Sequence, residues 1–342
     1  MSLAPAISII TPVWNGLPYI KECISSVLAQ EFQGWELLIG DNGSTDGTKE
    51  FLAGQTDPRV HVYYHEQNLG ISGNLNFLFA KARAPLAYIL CADDYFQHEG
   101  LTAVIDQWKS AEPTVSLICF NPDPYHCNVA RLFYRILPKT ISPAESKLAF
   151  FLFGNFTANL SNVSAKVDSV KATGGFVDHL KTAQDFEMWR RITKKDSLIL
   201  TDRNVVFVRK HQKSATHYLT QTGDDYGQLI TVYEKLLQQL SAEYNRKKLI
   251  AYFNTQICPQ YFRTAMKYAF SGNFVFMKAV LKARSPLLWN TWSQLLICTP
   301  LALAPRLREY IGTKWAQSFM QQKKLGRPTN EAPPMTVGSL NL

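Results

Sequence analysis

The chain has no C-x-x-C pair and no Cys/His spacing suited to a structural zinc; its six cysteines (Cys23, Cys91, Cys119, Cys127, Cys258, Cys298) are scattered. A disulfide framework is therefore excluded as the source of stability, and a reducing compartment is expected. G-x-G-x-x-G, G-x-x-x-x-G-K-[ST] and H-E-x-x-H are also missing, which removes the usual warrants for dinucleotide, P-loop and zincin chemistry. No basic stretch followed by an apolar h-region opens the chain, since residues 6–12 already read as a strand. A cytoplasmic protein is expected, with the N-x-[ST] matches at Asn155, Asn159 and Asn162 arising by chance. Charged residues make up 18% of the 342 and hydrophobic ones 46%, an ordinary globular composition at a length that buries a core without staples.

The charge is unevenly spread. Residues 1–230 carry 21 Lys/Arg against 23 Asp/Glu, whereas residues 231–342 carry 15 against 4. A near-neutral body with a basic C-terminal third points to a second task on an anionic surface, or to a solvated basic tail.

Short apolar runs rich in Ile, Val and Leu alternate with helical patterns over the first hundred residues, the signature of βαβ units. Strands are expected at 7–11, 36–40, 60–65 and 87–91. Between the first two, Leu17, Ile20, Ile24, Val27 and Leu28 recur on one helical face, and Gly34 follows as a stop. The second crossover starts in the turn-rich segment 41–47 and the third covers about 71–82. Right-handed crossovers then give one open, mostly parallel twisted sheet. Further strands are expected at 117–120, 160–163 and 204–209, and a helix at 185–193. From about residue 222 the pattern becomes helical (229–240, 247–270, 274–283), and 321–342 reads as disordered. The division expected is 1–220 for an α/β domain, 221–320 for a helical region and 321–342 for a tail.

Ligands bind such sheets beyond the carboxyl ends of the strands, which here carry Thr11-Pro12, Asp41 and Asp93-Asp94. Asp93-Asp94 suits a hard divalent cation that also takes phosphate oxygens, or else caps the helix expected near 100–109. Asp41 is placed to accept hydrogen bonds from a base or ribose, or else serves the Asn-Gly and Asp-Gly turn chemistry around it. Asp185 opens a helix anchored by Phe186, Trp189 and Ile192, with Arg190 and Arg191 expected in water; it is a cap or a general base. The cluster 209–214 clamps a diphosphate, with His211 as a metal ligand, or is a surface loop.

Taken in order, Ile7-Ser8-Ile9-Ile10-Thr11-Pro12-Val13-Trp14-Asn15, the 41–48 segment, Asn68-Leu69-Gly70, Asp93-Asp94, Gly174-Gly175-Phe176, Gln184-Asp185, Trp189-Arg190 and Arg209-Lys210-His211 resemble family 2 glycosyltransferases of the GT-A fold. The resemblance covers roughly residues 6–218. It implies a Rossmann-like nucleotide-binding half followed here by an α-helical extension. The activity implied is inverting transfer of a sugar from a nucleotide diphosphate sugar to an acceptor hydroxyl, in cell-surface glycan or polysaccharide synthesis. By position, Thr11, Pro12, Asn15, Asp41, Asp93 and Arg209 bind the donor, Asp94 and His211 hold Mn²⁺ or Mg²⁺, and Asp185 is the catalytic base. Two positions depart from the family pattern: Cys91 replaces the first acid of D-x-D-D, and Gln184 replaces the Glu of a Glu-Asp pair. Donor contacts are expected from loops in 121–137 and 151–161. A silent sugar-nucleotide or glycan binding module is the alternative; no motif supports a nucleic-acid partner.

Residues 285–305 carry no charge, yet six polar residues and Pro300 interrupt them. On a helical projection Leu288, Trp289, Trp292, Leu295 and Leu296 gather opposite Asn290, Thr291, Ser293 and Gln294. The reading is an amphipathic element lying on the inner membrane face through 274–308, where a glycan or lipid-linked acceptor is met, or one packed on the catalytic domain.

Overall fold

The computed structural model describes residues 4–120, 136–157, 159–211 and 224–322. Strand β1 (Ile7–Val13) shows why the sheet is central. Ile7, Ile9 and Val13 pack into one hydrophobic layer, while Ile10 packs into the other. β2 (Trp35–Asp41) repeats the alternation, with Leu37 and Ile39 against Leu38, as a strand covered on both faces must. With β3 (Val60–Tyr64), β4 (Leu86–Ile89), β6 (Val115–Phe120), β7 (Thr140–Ile141), β8 (Val163–Lys166) and β9 (Ser197–Thr201) they form one eight-stranded sheet, ordered β3-β2-β1-β4-β8-β6-β9-β7. The β3-β2-β1-β4 half is parallel, whereas β8 runs antiparallel to both β4 and β6. A two-stranded ribbon of β5 (Tyr95–Phe96) and β10 (Val206–Phe207) sits apart from it.

The first four strands stand where the sequence puts them. The fit is looser in the middle of the chain. The strand expected at 160–163 is a 3₁₀ turn, Leu160–Asn162, that only then enters β8. That expected at 204–209 shrinks to two residues, because the Arg209 N–H donates to an Asp94 carboxylate at 2.8 Å instead of continuing a ladder. The helix expected over 247–270 is broken by a π-helical turn, Phe253–Ile257, ahead of Cys258–Phe270. Pro259 has no N–H to give the preceding turn, so the hydrogen-bond register shifts there.

The N-x-[ST] asparagines all have structural work: Asn155 donates to Asp185, Asn159 caps the 3₁₀ turn, and Asn162 donates to the Phe120 carbonyl at 2.9 Å. Among the described residues five cysteines are free thiols. The helices Asp224–Leu240, Arg246–Tyr252, Val275–Lys282, Thr291–Leu303 and Pro305–Gln322 follow among the described residues. One hydrophobic cluster runs from Ile10 and Leu75 beneath the sheet through Phe151 and Phe186 to Tyr233, Phe253 and Phe319, so the helical extension shares its core with the α/β part. The expected donor-loop segment 121–135 and the tail from 323 lie outside the described residues; Gln321 and Gln322 end the last helix.

Candidate active site

Register places the acidic residues. Val13 pairs with Asp41 and Ile10 with Ile89, so the chain beyond β4 delivers Cys91, Asp93 and Asp94 beside the end of β1. Asp41 is buried and accepts from the Ser44 N–H at 3.2 Å and the Ser44 hydroxyl. Ser44 Oγ also accepts the Asn15 N–H at 2.8 Å, and Asn15 Oδ1 accepts the Thr45 N–H at 2.8 Å. Asn15 stitches the two loops together from a left-handed backbone conformation (φ 52°) that asparagine tolerates. Pro12 is half-buried at the strand end, whereas the Thr11 side chain is fully buried and lies below any surface a donor could touch. Asp46 belongs to the turn: it accepts from the Thr48 hydroxyl at 2.6 Å and the Leu17 N–H at 3.0 Å.

The capping role considered for Asp93-Asp94 does not occur. The ribbon strand Tyr95–Phe96 intervenes, and the helix Gly100–Lys109 starts from Glu99 with no side-chain cap. Ligand atoms of Cys91, Asp93 and Asp94 instead lie within 4.8 Å of one another. Asp94 is 3% exposed; burial, and then the neighbouring Asp93 charge, push its carboxyl up to about 7 against the opposing pull of Ser161 and Arg209. The same burial, with the two carboxylates, raises the Cys91 thiol, so the residue replacing the family's first acid stays neutral. A buried carboxylate with a second beside it is under-neutralised, and oxygen donors of this kind fit a hard divalent cation.

The 209–211 segment closes over this pair. Its Arg209 Nε donates to the Asp93 carbonyl at 2.9 Å and Nη2 to Glu22 at 2.5 Å, while the guanidinium lies 4.9 Å from the Tyr19 ring and 5.4 Å from the Tyr95 ring. His211 Nε2 stands 2.9 Å from Asp93 Oδ2, with its ring against Tyr19. In this conformation Arg209 braces the acidic loop, and His211 pairs with Asp93 outside the 4.8 Å cluster.

Asp185 sits at the second position of the helix Gln184–Ile192, behind an Ala183 N-cap. One oxygen accepts the Phe186 N–H at 2.7 Å and the other the Asn155 amide at 2.7 Å. Both capping and a presented carboxylate are therefore realised in one side chain. Gln184, the neutral substitute for the family's acid, is buried and accepts from the Ser72 hydroxyl at 2.5 Å. Asn155 was not singled out by the sequence for chemistry, nor was Ser161, whose hydroxyl accepts the Cys91 N–H at 2.9 Å. In the sequence both fall in a loop expected to touch the donor, and Asn155 also in an N-x-[ST] match. That short segment reaches Asp185 through Asn155 and the acidic pair through Ser161.

Two expectations about this helix are corrected. Arg190 and Arg191 do not face water: Arg190 is 4% exposed and bonds Glu187 at 3.0 Å, and Arg191 bonds Glu187 at 2.6 Å. Glu187 is itself buried, so the arginines are drawn inward, and Arg191 also donates to the carbonyls of Thr173 and Gly175. The Gly174-Gly175-Phe176 motif is thus architectural. Gly175 has φ 76°, an added Cβ would lie 2.4 Å from Asn76 Oδ1, and Asn76 brackets Phe176 through its N–H and carbonyl.

Residues 8–164 match the family model for glycosyl transferase family 2. TuaG of Bacillus subtilis, whose name refers to teichuronic acid biosynthesis, is 36% identical over 99 residues, 28% of this chain and 39% of that protein. An uncharacterized glycosyltransferase of Rickettsia typhi is 23% identical over 236 residues, 68% of this chain and 73% of that protein. The crystal structure of S. aureus TarS 1-349 in complex with UDP-GlcNAc superposes with a TM-score of 0.58 at 16% identity, covering 93% of this chain and 92% of that one. The mannosyltransferase PcManGT of Pyrobaculum calidifontis, in complex with GDP-Man and Mn²⁺, gives 0.54 at 16% identity, covering 94% and 88%. The two superpositions establish the GT-A fold.

Proposed function

Because the chain carries a glycosyl transferase family 2 domain over residues 8–164, we propose that it transfers a sugar from a nucleotide diphosphate sugar to an acceptor hydroxyl, inverting the anomeric centre. The observation that carries this reading is the short segment that reaches Asp185 through Asn155 and the acidic loop beyond β4 through Ser161. A donor-side and an acceptor-side carboxylate held by one loop suit a single displacement. The acceptor oxygen attacks the anomeric carbon as the bond to the diphosphate oxygen breaks, Asp185 takes the acceptor proton, and the negative charge leaves on the diphosphate.

Asp94 and Asp93 would hold Mn²⁺ or Mg²⁺, with His211 reaching it after release from Asp93, and the ion would offset charge on the leaving diphosphate as a Lewis acid. Pro12 and Asp41 border the nucleoside, Asp41 through the oxygens that Ser44 now engages. Asn15 and Thr11 act indirectly, Asn15 by joining the two strand-end loops. Arg209 keeps the acidic loop in place. The UDP-GlcNAc and GDP-Man bound by the two structural neighbours support UDP- or GDP-linked sugars as donors, and the acceptor proposed is a cell-surface glycan or polysaccharide. The intact Asp94 and Asp185 weigh against a silent binding module.

The test is calorimetry with UDP and GDP, with Mn²⁺ or with EDTA. At least one nucleotide should bind about tenfold or more tightly with metal, and Asp94→Ala should abolish the difference. Equal affinity in EDTA would remove the metal from the account.

A further inference from the structure

The helix Thr291–Leu303 turns Trp292 and Leu296 of its projected apolar side outward, while Leu295 of the same side packs against the core. Its inward side is Gln294, Cys298 and Ala302, all buried; Gln294, on the polar side of the projection, donates to the Trp289 carbonyl at 2.9 Å. The large apolar side chains point outward, with Trp292 77%, Leu296 74% and Leu303 72% exposed. The following helix, Pro305–Gln322, continues the display with Leu307 and Tyr310. At 292, 296, 303, 307 and 310 the spacing keeps to multiples of a helical turn, so each helix gives these residues one side. Small inward residues explain this packing: Cys298 and Ala302 let the helix sit close to the π-helical turn, where Cys298 Sγ lies 3.3 Å from the Asn254 carbonyl. The same turn fixes the approach, because Asn254 donates to the Leu287 carbonyl and accepts the Trp289 N–H.

A stripe this apolar must meet something. Its surroundings select an anionic partner. Residues 258–322 contain eight Lys/Arg and a single acid, Glu309, and seven of the eight (Arg263, Lys267, Lys278, Lys282, Arg284, Arg306, Lys314) are exposed. A cleft of about 380 Å³ opens beside Trp292, lined by Arg284, Ser285, Leu288 and Trp289. It sets one cation and three hydroxyl- or amide-bearing neighbours, Ser285, Asn290 and Thr291, next to two indole rings, the mixture found where side chains sit at a membrane interface. Crossing is not an option. Among the described residues no helix is long and apolar enough to span a bilayer, and Thr291–Leu303 at 13 residues measures about 20 Å against about 30 Å of hydrocarbon.

We propose that the outward side of Thr291–Leu303, continued by Leu307 and Tyr310, docks on an anionic phospholipid bilayer. Trp292, Leu296 and Leu303 enter the headgroup boundary and the surrounding Lys and Arg engage lipid phosphates. A second protein or a nucleic acid fits less well, since the stripe is too apolar for nucleic acid and the dense, nearly one-signed charge matches a surface of repeated anions. Docking also gives the proposed transferase its acceptor class, a lipid-linked glycan presented at that surface. The inference about the acceptor rests on the function proposed above; the docking itself does not.

The experiment is flotation of the full-length protein with vesicles of phosphatidylcholine alone and of phosphatidylcholine with about 30% phosphatidylglycerol. The protein should float with the anionic vesicles at low salt and about tenfold less with neutral ones. Trp292→Ser/Leu296→Ser/Leu303→Ser should lower flotation about tenfold while leaving the melting temperature and nucleotide affinity unchanged, because these side chains are exposed. Lys278→Glu/Lys282→Glu/Arg284→Glu should lower it specifically for anionic vesicles. Absence of flotation with either vesicle, flotation unchanged by the serine variant, or a wild-type dimer that the serine variant dissociates without any vesicle binding would overturn the proposal. Nucleotide affinity, read on the same samples, separates such a failure from failure of the transferase reading.

Discussion

Asp185→Asn is expected to leave UDP or GDP affinity within about twofold of wild type while lowering turnover by about 10²-fold or more. The substitution conserves shape. An asparagine oxygen can still accept the Phe186 N–H that Asp185 now accepts at 2.7 Å, so the helix start survives. What it loses is the negative oxygen presented beside the Asn155 amide, the one able to take a proton as the acceptor attacks. A loss confined to turnover is the mark of a group that acts in the transition state. Turnover near the wild-type value would remove Asp185 as the base, and a parallel loss of nucleotide affinity would place it on the donor side instead.

Glu187→Ala is expected to have the largest effect on stability, about 3–5 kcal/mol, the scale for removing one partner of a buried ion pair. Glu187 is 3% exposed and receives both Arg190 and Arg191. Without it, Arg190 is a cation in the core whose burial already depresses its pKa. Arg191 also loses its anchor while it holds the carbonyls of Thr173 and Gly175, so the glycine turn loosens with it. Glu187→Gln should cost less, because the amide oxygen still accepts one of the two bonds. Urea unfolding followed by circular dichroism measures both; a shift below about 1 kcal/mol for the alanine variant would show that the pair is not what secures this helix.

The parts legible in the sequence are those governed by short-range patterns. The parallel strands β1, β2 and β4 read correctly because each is an apolar run covered on both faces, β3 being the half-exposed edge strand, and their tips could be named because a crossover sheet places them together. The acidic pair and Asp185 were found as chemical types at element ends. What could not be read was which charges turn inward. Arg190 and Arg191 look like a solvent face until Glu187 is seen in the core between them, a contact three and four residues away that periodicity scores as polar. Asn155 and Ser161 were hidden for another reason: they act from irregular backbone, and only tertiary placement brings one to Asp185 and the other to Cys91. For 291–303 the projection left open whether its apolar side is packed or displayed; small residues at Cys298 and Ala302 decide the packed side, which leaves Trp292 and Leu296 exposed. Thr11 shows the converse limit. A strand-end position was correctly identified, yet its side chain points into the core.

The most direct measurement is release of nucleoside diphosphate from a panel of UDP- and GDP-sugars, followed with Mn²⁺ or Mg²⁺ for wild type, Asp94→Ala and Asp185→Asn. The account predicts metal-dependent release by the wild type from at least one donor, by slow hydrolysis without an acceptor and faster with one. Asp94→Ala should be inactive, and Asp185→Asn should be slowed about 10²-fold in transfer. Wild-type protein that binds none of these donors and releases no nucleotide from any of them, with or without metal, would contradict it.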